Sequence, residues 1–454
     1  MRIAHVIHGF PPRDNAGAET YTSKLALAQA RSEQVCVFHR IGDRDIDEYA
    51  LKRETRDGLD IWHINNNLAA CKSFEETYTN PPVAEAFCRF LDTVRPDVVH
   101  IGHLTLLSTL IIEELSRRGV PTVMTLHDYW LICPRGQLID GNLDICADPA
   151  NAPCDKCQGL QLGITDTSRK AFNIYKKIAG ALHISENFLR KPLRRLYRQA
   201  AKLGGGNNFA RRIERRREHM KSICEKVDLL VAPSKFLRER FIEFGVPPQR
   251  IIYSDYGFDT SPFRDFERRP SEKIRFGFAG SIIPSKGLHV LLEAFRGIDA
   301  ARAELNVFGG FAQYYEFDDY SDKIKTLAGI PGVNMRGRYR AHRIADVFSE
   351  IDVLVVPSIW YENSPLSIHE AFMSGAPVIA SNAGGMAELV RHEKSGLLFK
   401  LGDAESLRRA LKEIVEGGTP IEKLQKGLPE VKTIEDDAAD MIKRYSGLLR
   451  NISR

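Results

Sequence analysis

Short runs of apolar, β-branched residues alternate along the chain with longer segments in which apolar residues recur every three or four positions. Runs of the first kind are typical of strands buried on both faces of a parallel sheet, and segments of the second kind are typical of amphipathic helices. Strands that alternate with helices predict a doubly wound α/β domain. In the first half, the predicted strands are 3–7, 34–40, 97–100, 120–126 and 227–233, and the predicted helices are 20–33, 111–118 and 234–245.

The second half of the chain repeats this pattern. Because 454 residues are too many for one compact core, we predict two doubly wound α/β domains of ordinary size. A strand, a glycine turn and a helix fill 274–295, and further strands are predicted at 305–309, 333–337, 351–356 and 376–380. The predicted bounds are 1–256 for the first domain, 257–273 for a linker, 274–433 for the second domain, and 434–454 for a last helix that crosses back.

The segment 351–396 combines a strand, a polar loop, a helix and a second strand. We expect Ser364 to cap the helix with its hydroxyl oxygen and Pro365 to occupy the first helical position, where no amide proton is needed. The N–H groups of Leu366 and Ser367 are then free at the positive end of the helix dipole. Such a helix end binds anions, typically a phosphate.

Two glutamates flank this helix end. Glu370 lies four residues after Leu366 on the same helix face, about 6 Å along the axis, and Glu362 lies before the expected cap. This distance matches the separation between a phosphate and ribose hydroxyls, and an ionised carboxylate accepts two hydrogen bonds from a vicinal diol. A nucleotide diphosphate fits the pattern, with Glu370 at the ribose and Glu362 beyond the phosphates. The alternative is that both are solvated surface charges.

In the first half of the chain, candidate binding residues follow the predicted strands. Gly17 stands where the chain enters the first helix, so a phosphate or sugar could approach its backbone, although a plain turn uses glycine equally well. His100, His103 and His127 lie at the carboxyl ends of strands, where open parallel sheets bind ligands. Each could instead be a structural, hydrogen-bonded histidine. The G-x-G-x-x-G fingerprint of dinucleotide enzymes is absent from the sequence.

Four of the eight cysteines fall in one short insertion rich in proline and aspartate. They are Cys133, Cys146, Cys154 and Cys157. The C-x-x-C pair is half of a typical zinc knuckle, and two further thiolates would complete a tetrahedral site. We therefore predict a structural zinc ion, whose four protein ligands leave no position for a substrate. Free thiols or a redox pair are the alternatives.

Composition and charge narrow the expected location. No apolar run approaches the ~20 residues that span a bilayer, and no secretory signal precedes the first strand, so we expect a cytosolic protein or one bound to the cytosolic membrane face. Residues 165–226 contain 17 Lys and Arg against five Asp and Glu, a local charge of +12 that leaves −7 for the rest. Apolar and basic residues interleave there at helical spacing, which favours helices on an anionic membrane surface. A solvated helical hairpin or a nucleic-acid-binding surface is the alternative.

The segment E-N-S-P-L-S-I-H-E, from Glu362 to Glu370, and the following A-F-M-S-G-A-P-V-I-A-S-N-A-G-G resemble a known family signature. This is the E-x7-E motif of the retaining glycosyltransferases of family 4. The resemblance implies the GT-B fold, in which two Rossmann-like, doubly wound α/β domains face a central cleft. The resemblance implies that Glu370 contacts the ribose of a nucleotide sugar. It also implies that the donor sugar and diphosphate contact Glu362 and the backbone of Asn363, Ser364, Pro365 and Leu366.

On the first domain, the segment T-L-H-D-Y-W resembles the family's loop that faces the second domain. This resemblance implies that His127 approaches the transferring sugar and that Asp128 orients it or binds the acceptor. The family usually shows two glycines at the start of the first helix. This chain has Ala16 and Gly17, a departure that keeps the residue whose backbone the ligand would approach.

On the second domain, Lys286 is placed to put an ammonium group on the diphosphate. The family commonly has an arginine where this chain has Ser281, so one expected phosphate cation is missing. Arg338 and Arg340 are the candidates to replace it. By the same resemblance, Gly337 packs near the nucleotide base.

By this resemblance the chain is a hexosyltransferase that uses a UDP- or GDP-linked donor and a saccharide or lipid-linked acceptor, in cell-surface polysaccharide or glycolipid biosynthesis. The family retains the anomeric configuration, which is commonly explained by front-face attack; double displacement stays open. Lys286 and the helix amides would stabilise the departing charge, so no catalytic cofactor or divalent metal is expected. The alternatives are a sugar-nucleotide epimerase of the same fold and a zinc-containing nucleic-acid-binding protein, although no nucleic acid partner is expected.

Overall fold

The computed structural model describes residues 1–149, Ala152, Cys154, Cys157, 206–314, Phe317 and 319–452. Within these residues, the strands form one sheet of eight strands and one of six. The first sheet contains β1 (Arg2–Ile7), β2 (Gln34–Ile41), β3 (Leu51–Arg56), β4 (Leu59–Asn65), β5 (Val98–Ile101), β6 (Thr122–Thr125), β7 (Leu229–Ala232) and β8 (Ile251–Tyr253). The second contains β9 (Ile274–Ala279), β10 (Ala303–Phe308), β11 (Val333–Gly337), β12 (Val353–Val356), β13 (Val378–Ser381) and β14 (Gly396–Phe399).

Both sheets have the strand order of doubly wound α/β domains. The order is β3-β4-β2-β1-β5-β6-β7-β8 in the first sheet and β11-β10-β9-β12-β13-β14 in the second. In the part of the chain that is described, neighbouring strands run parallel except for β3 and β4, which form an antiparallel hairpin at one edge. The predicted fold class is therefore confirmed, while the exact domain bounds given above stay predictions.

Helices cover the faces of both sheets. Those of the first half are α1 (Gly17–Gln29), α2 (Pro81–Val94), α3 (Leu110–Arg118), α4 (Gly206–Lys226) and α5 (Lys235–Phe244). Those that follow are α6 (Leu288–Phe295), α7 (Tyr320–Leu327), α8 (Ile344–Phe348), α9 (Leu366–Met373), α10 (Gly384–Leu389), α11 (Ala404–Val415), α12 (Ile421–Gln425) and α13 (Ile434–Ile452).

Alternate residues of β1 show how the first core is built. Ile3 and Ile7 point to one face and pack with α1 and α13, whereas Ala4 and Val6 point to the other face and pack with α2 and α3. All four are fully buried. Burial on both faces explains why the strands read as unbroken apolar runs in the sequence.

The apolar face of α4 packs into the core of the first domain. Ile213, Met220 and Ile223 are buried there, and the buried Arg216 donates a hydrogen bond to a backbone carbonyl of the loop after β6. This apolar face is therefore not available to insert into a membrane. The rest of the basic insertion, 165–205, lies outside the described residues, so the predicted membrane contact stays a prediction. None of the helices in the described ranges has both the length and the apolar character that crossing a bilayer requires.

The last helix, α13, packs along α1 of the first domain. The Tyr21 hydroxyl donates to Oδ2 of the buried Asp437 at 2.8 Å. The Tyr445 hydroxyl contacts Nδ1 of His100, and Nε2 of His100 lies 2.7 Å from the Thr125 hydroxyl. Both ring nitrogens of His100 are thus used inside the protein, so this histidine is structural and not a ligand-binding residue.

Candidate active site

The loop before α9 leaves β12 at the carboxyl edge of the second sheet. Helix α9 begins at Leu366 with Pro365 as its N-cap residue, and no described side chain caps it. The Ser364 hydroxyl instead donates to Oδ1 of Asp255 at 2.7 Å, and Nε2 of His369 lies 2.8 Å from the same hydroxyl oxygen. The predicted Ser364 cap is therefore wrong, because a carboxylate that follows the first sheet binds this hydroxyl.

The start of α9 keeps free N–H groups and faces the first domain. Among the described residues, the N–H groups of Leu366 and Ser367 have no hydrogen-bond partner. They lie at the positive end of an eight-residue helix. A Cβ atom at Gly17 would lie 3.7 Å from Cδ1 of Leu366, so the start of α1 stands directly opposite the start of α9. The structure thus brings these predicted site residues together.

Glu362 is buried and held by three donors. Its Oε1 accepts hydrogen bonds from Nζ of Lys286 at 2.6 Å, from Oγ of Ser358 at 2.7 Å and from Nε1 of Trp360 at 2.9 Å. A lysine and a glutamate that are 76 residues apart therefore meet at the cleft. Three donors on one oxygen fix the orientation of this carboxylate, while Oε2 takes part in none of these bonds.

The loop before α9 is also held by a close backbone contact with α10. The N–H of Gly385 donates to the carbonyl oxygen of Glu362 at 2.7 Å. A Cβ atom at position 385 would lie 1.5 Å from the carbonyl oxygen of Asn363, a distance that no side chain could occupy. Glycine at this position therefore allows α10 to support the loop.

The Glu370 side chain on α9 is half-buried and forms no hydrogen bond or ion pair with the described residues. Burial raises the pKa of its carboxyl group to about 7, and no charged or hydrogen-bonding neighbour within the described ranges contributes to that shift. A buried carboxyl group without a donor favours its neutral form. Any ligand that donates hydrogen bonds to Glu370 will therefore favour the ionised form.

His127 follows β6 on the first domain and contacts the loop before α9. Its backbone carbonyl accepts a hydrogen bond from Nδ2 of Asn363 at 2.9 Å, and its Nδ1 lies 2.7 Å from the Tyr256 hydroxyl. Burial lowers the pKa of His127 to about 3, so its ring is neutral at physiological pH. Nε2 of His127 is buried and has no partner among the described residues.

Other predicted residues lie further from these contacts. Ser281 is exposed in the loop after β9, and Gly337 ends the edge strand β11 with a φ of 78°. Arg338 and Arg340 are exposed, and Arg338 donates to the backbone carbonyl of Phe311 at 2.9 Å. Within the described residues, no hydrogen bond joins these four positions to Glu362, Lys286 or Glu370, so the replacement for the missing arginine stays a prediction.

Three residues of the site were not predicted from the sequence. Ser358 and Trp360 lie within four residues of Glu362, and a hydroxyl and an indole N–H beside a carboxylate are a usable signal once the loop is known to be buried. Asp255 lies 109 residues before Ser364 in the sequence. No local pattern connects these two positions.

The four cysteines of the insertion lie near one another. Burial, and then the neighbouring thiols of Cys133, Cys154 and Cys157, raise the pKa of Cys146 to about 12. In the described part of the chain, no group of three or more His, Cys, Asp or Glu side chains is placed to hold a metal ion. The predicted zinc site is therefore not supported by this geometry.

Two family models match consecutive parts of the chain. The model described as Glycosyltransferase Family 4 matches residues 15–261, which is more than half of the chain. The model described as Glycosyl transferases group 1 matches residues 259–428. The second match contains the loop before α9, and the first contains Gly17 and His127.

Curated relatives match over part of their length. The amylovoran biosynthesis glycosyltransferase AmsK of Erwinia amylovora is 26% identical over 263 residues, which are 54% of this chain and 61% of the relative. The GDP-mannose-dependent alpha-mannosyltransferase of Mycobacterium tuberculosis is 29% identical over 186 residues, which are 39% of this chain and 45% of the relative. The chain thus spans about half the length of the curated relatives it matches.

Solved structures share the fold over nearly the whole chain. Sucrose-phosphate synthase from Thermosynechococcus elongatus aligns with a TM-score of 0.66 and 18% identity, covering 99% of each chain. Anabaena HepE in complex with UDP-glucose aligns with a TM-score of 0.59 and 16% identity, covering 100% of this chain and 98% of that chain. At identities this low, the likeness shows the fold alone.

Proposed function

The chain belongs to glycosyltransferase family 4 and has the GT-B arrangement of two Rossmann-like domains, and from this premise we propose that it is a retaining glycosyltransferase. It transfers a sugar from a nucleotide diphosphate sugar to a hydroxyl group of a saccharide or lipid-linked acceptor. One observation carries the proposal: the uncapped start of α9 presents free N–H groups in a segment flanked by Glu362 and Glu370.

The donor nucleotide binds to the second domain. Its diphosphate accepts hydrogen bonds from the N–H groups of Leu366 and Ser367, where the helix dipole adds positive potential. Glu370 accepts hydrogen bonds from two ribose hydroxyls and must be ionised to accept them fully. The base packs near Gly337, and Ser281 lies at the same sheet edge. Among the described residues the Glu370 carboxyl has no other partner, which supports this assignment.

Lys286 and Glu362 act at the bond that breaks. With three donors on Oε1, Glu362 has Oε2 left for a hydroxyl of the donor sugar. The Lys286 ammonium, held 2.6 Å from Glu362, compensates the negative charge that collects on the departing diphosphate. The N–H groups at the start of α9 contribute to the same compensation. These cationic and dipolar groups support chemistry that needs no divalent metal or catalytic cofactor.

Transfer proceeds at the face of the sugar where the diphosphate departs. The bond between the anomeric carbon and the phosphate oxygen breaks, and a bond forms from the acceptor oxygen to the same carbon and face. The acceptor proton passes to the departing phosphate oxygen, so charge and atoms balance and the configuration is retained. Neutral His127 offers its free Nε2 to the transferring sugar, and Asp128 lies on the acceptor side.

The relatives support the substrate class. The mannosyltransferase of Mycobacterium tuberculosis is named as GDP-mannose-dependent, and HepE was solved with UDP-glucose. AmsK is named for amylovoran biosynthesis. We therefore propose a UDP- or GDP-linked hexose as donor and a role in cell-surface polysaccharide or glycolipid biosynthesis. The comparisons favour neither the epimerase nor the nucleic-acid-binding alternative.

Calorimetric titration of UDP and GDP into the full chain tests the donor site. At least one nucleotide should bind, and Glu370→Ala should weaken its affinity about 10- to 100-fold through loss of charge-assisted hydrogen bonds. Glu362→Ala should keep nucleotide affinity but lose turnover of a nucleotide sugar. Glu422→Ala, an exposed carboxylate of the same domain, is the matched control. Unchanged affinity and turnover in both site variants would contradict the proposal, and product analysis separates transfer from epimerisation.

A further inference from the structure

The first turn of α5, on the first domain, is completed by a carboxylate of the second domain. Oγ of Ser234 accepts a hydrogen bond from the N–H of Leu237 at 3.1 Å. The N–H groups of Lys235 and Phe236 both donate to the carboxylate of Glu388, and the first of these bonds measures 2.8 Å. An exposed glutamate on α10 thus supplies the acceptors and the negative charge that a helix start favours.

The other end of α10 contacts the loop before α9. Gly385, in the first turn of α10, donates its N–H to the carbonyl oxygen of Glu362. A Cβ atom at Gly384 would lie 2.7 Å from the same oxygen, so the backbones of α10 and the loop touch. Since α10 has only six residues, its first turn holds the loop and its last turn holds α5. Glu362 and the start of α5 are therefore joined through one short helix.

Aromatic side chains of the first domain pack directly against the same loop. The ring of Phe236 lies 4.8 Å from the ring of Tyr361, the residue that precedes Glu362. The rings of the buried Tyr129 and of Trp360 meet edge-to-face, with their centres 6.4 Å apart. The indole N–H of Trp360 is one of the donors to Oε1 of Glu362. Because aromatic pairs at these separations prefer defined orientations, the first domain fixes the two residues directly before Glu362.

In the described ranges, the hydrogen bonds from α5 to the second domain all end on Glu388. The ion pairs of the arginines on α5 are with glutamates of the same helix. Loss of the Glu388 carboxylate would therefore leave α5 bound to the loop by apolar contact alone. Because Glu388 is exposed, its bonds contribute little to the free energy of unfolding. Its removal should loosen the contact between α5 and the loop while both domains stay folded.

We propose that Glu388 is a positioning residue for the transfer reaction. By holding α5 against the loop before α9, it keeps the aromatic contacts of the first domain on Tyr361 and Trp360, and these contacts set the direction of the Glu362 carboxylate. The proposal rests on the function proposed above, in which Glu362 contacts the donor sugar. The groups assigned to the nucleotide, including Glu370, belong to α9, and within the described chain none of them bonds to α5 or α10. Glu388 therefore acts on turnover and not on nucleotide affinity.

Steady-state kinetics and calorimetry on the full chain test this role. The substrate is the UDP- or GDP-linked hexose that the unaltered chain turns over fastest, and kcat is expressed per nucleotide-binding site counted by calorimetry. Glu388→Ala should lower kcat about tenfold or more, while the Kd of UDP or GDP changes less than about twofold. Glu388→Gln should lose less, because its amide oxygen still accepts a hydrogen bond. Glu422→Ala, an exposed carboxylate of the same domain, should change neither quantity.

A double-mutant cycle and hydrogen exchange separate positioning from a general loss of stability. Phe236→Ala removes the ring contact with Tyr361 but keeps the N–H that Glu388 binds. Because both residues act through this contact, the kcat losses of Glu388→Ala and Phe236→Ala should not multiply in the double variant. In Glu388→Ala, hydrogen exchange measured by mass spectrometry should quicken in 358–363 and at the start of α5, and should stay unchanged in β12 and β13.

Four results would overturn the inference. They are an unchanged kcat in Glu388→Ala, a Kd that rises as much as kcat falls, kcat losses that multiply in the double variant, and exchange that quickens throughout the second domain together with earlier thermal unfolding. The last result would make Glu388 a general stabilising residue.

The failure of the proposed function is distinguishable from the failure of this inference. If the unaltered chain binds neither UDP nor GDP, or releases neither from its hexose conjugates, the proposed function fails first. If the unaltered chain does both and Glu388→Ala matches it in kcat and in exchange over 358–363, only the role of Glu388 fails.

Discussion

Nucleotide binding should weaken as the pH falls, because Glu370 must lose its proton to receive the ribose hydroxyls. Burial raises the pKa of Glu370 to about 7, so the neutral carboxyl group predominates below that pH. The neutral form accepts the diol less well than the ionised form. Affinity is therefore present above the raised pKa and is lost as the pH falls through it. Glu370→Gln removes this dependence, because an amide has no proton to lose in this range.

The size of the effect follows from the shifted pKa. With a pKa of about 7, roughly nine-tenths of the Glu370 carboxyls are ionised at about pH 8 and roughly one-tenth at about pH 6. If only the ionised form binds the ribose, the Kd of UDP or GDP rises about tenfold across this interval, or ~1.4 kcal/mol. Below about pH 7, each binding event also releases close to one proton.

Isothermal titration calorimetry measures both the Kd and the number of protons released on binding, provided that the titration is repeated in buffers of different ionisation enthalpy. The terminal phosphate of the nucleotide itself titrates near pH ~6, so only the difference between the wild-type chain and Glu370→Gln reports on the protein. The wild-type chain should show the steeper loss of affinity and the larger proton release. Equal pH slopes in the two proteins would refute the reasoning.

Four further predictions concern the loop, the fold and the two insertions. Lys286→Met should lower kcat about 100-fold or more in assays of nucleotide release, and an unchanged kcat would contradict its role. Gly385→Ala should lower the free energy of unfolding by at least ~2 kcal/mol, whereas Gly447→Ala in α13, where a Cβ atom meets nothing, should be neutral or stabilising in the same thermal unfolding assay. Because the described cysteines form no metal-binding group, elemental analysis of the wild-type chain should find far less than one zinc ion per chain; about one ion per chain that Cys154→Ser removes would contradict this. The chain should bind anionic vesicles at low salt and leave them at about 0.5 M salt; binding that survives replacement of the Lys and Arg of 165–205 by Ser would contradict membrane contact there.

The order of strands and helices was predictable because each element carries its own pattern. The strand Val353–Val356 is fully buried and reads as an apolar run, and α9 begins close to the predicted position. The edge hairpin of β3 and β4 was missed, although Asp57 and Gly58 both have positive φ angles, as a two-residue hairpin turn requires. Its first strand is mostly exposed and charged, so it lacks the apolar run on which the other predictions relied.

The candidate site was only partly predictable. The spacing of residues in the sequence shows which side chains share one helix or loop, but it does not show which distant segments meet. The pair Glu362 and Glu370 could be inferred from one loop and the helix that follows it. The hydroxyl of Ser364 had two possible partners, a helix amide or a distant carboxylate, and only the fold shows that Asp255 is the one it meets. Similarly, the basic residues of α4 suggested a surface helix, while its apolar face is covered by the first domain.

A crystal structure of the full chain with bound UDP or GDP is the most direct test of the donor site. We expect oxygens of the diphosphate within about 3 Å of the backbone nitrogens of Leu366 and Ser367, and both ribose hydroxyls hydrogen-bonded to Glu370. A nucleotide bound away from the start of α9, or a Glu370 side chain that turns to solvent in the complex, would contradict the proposed function.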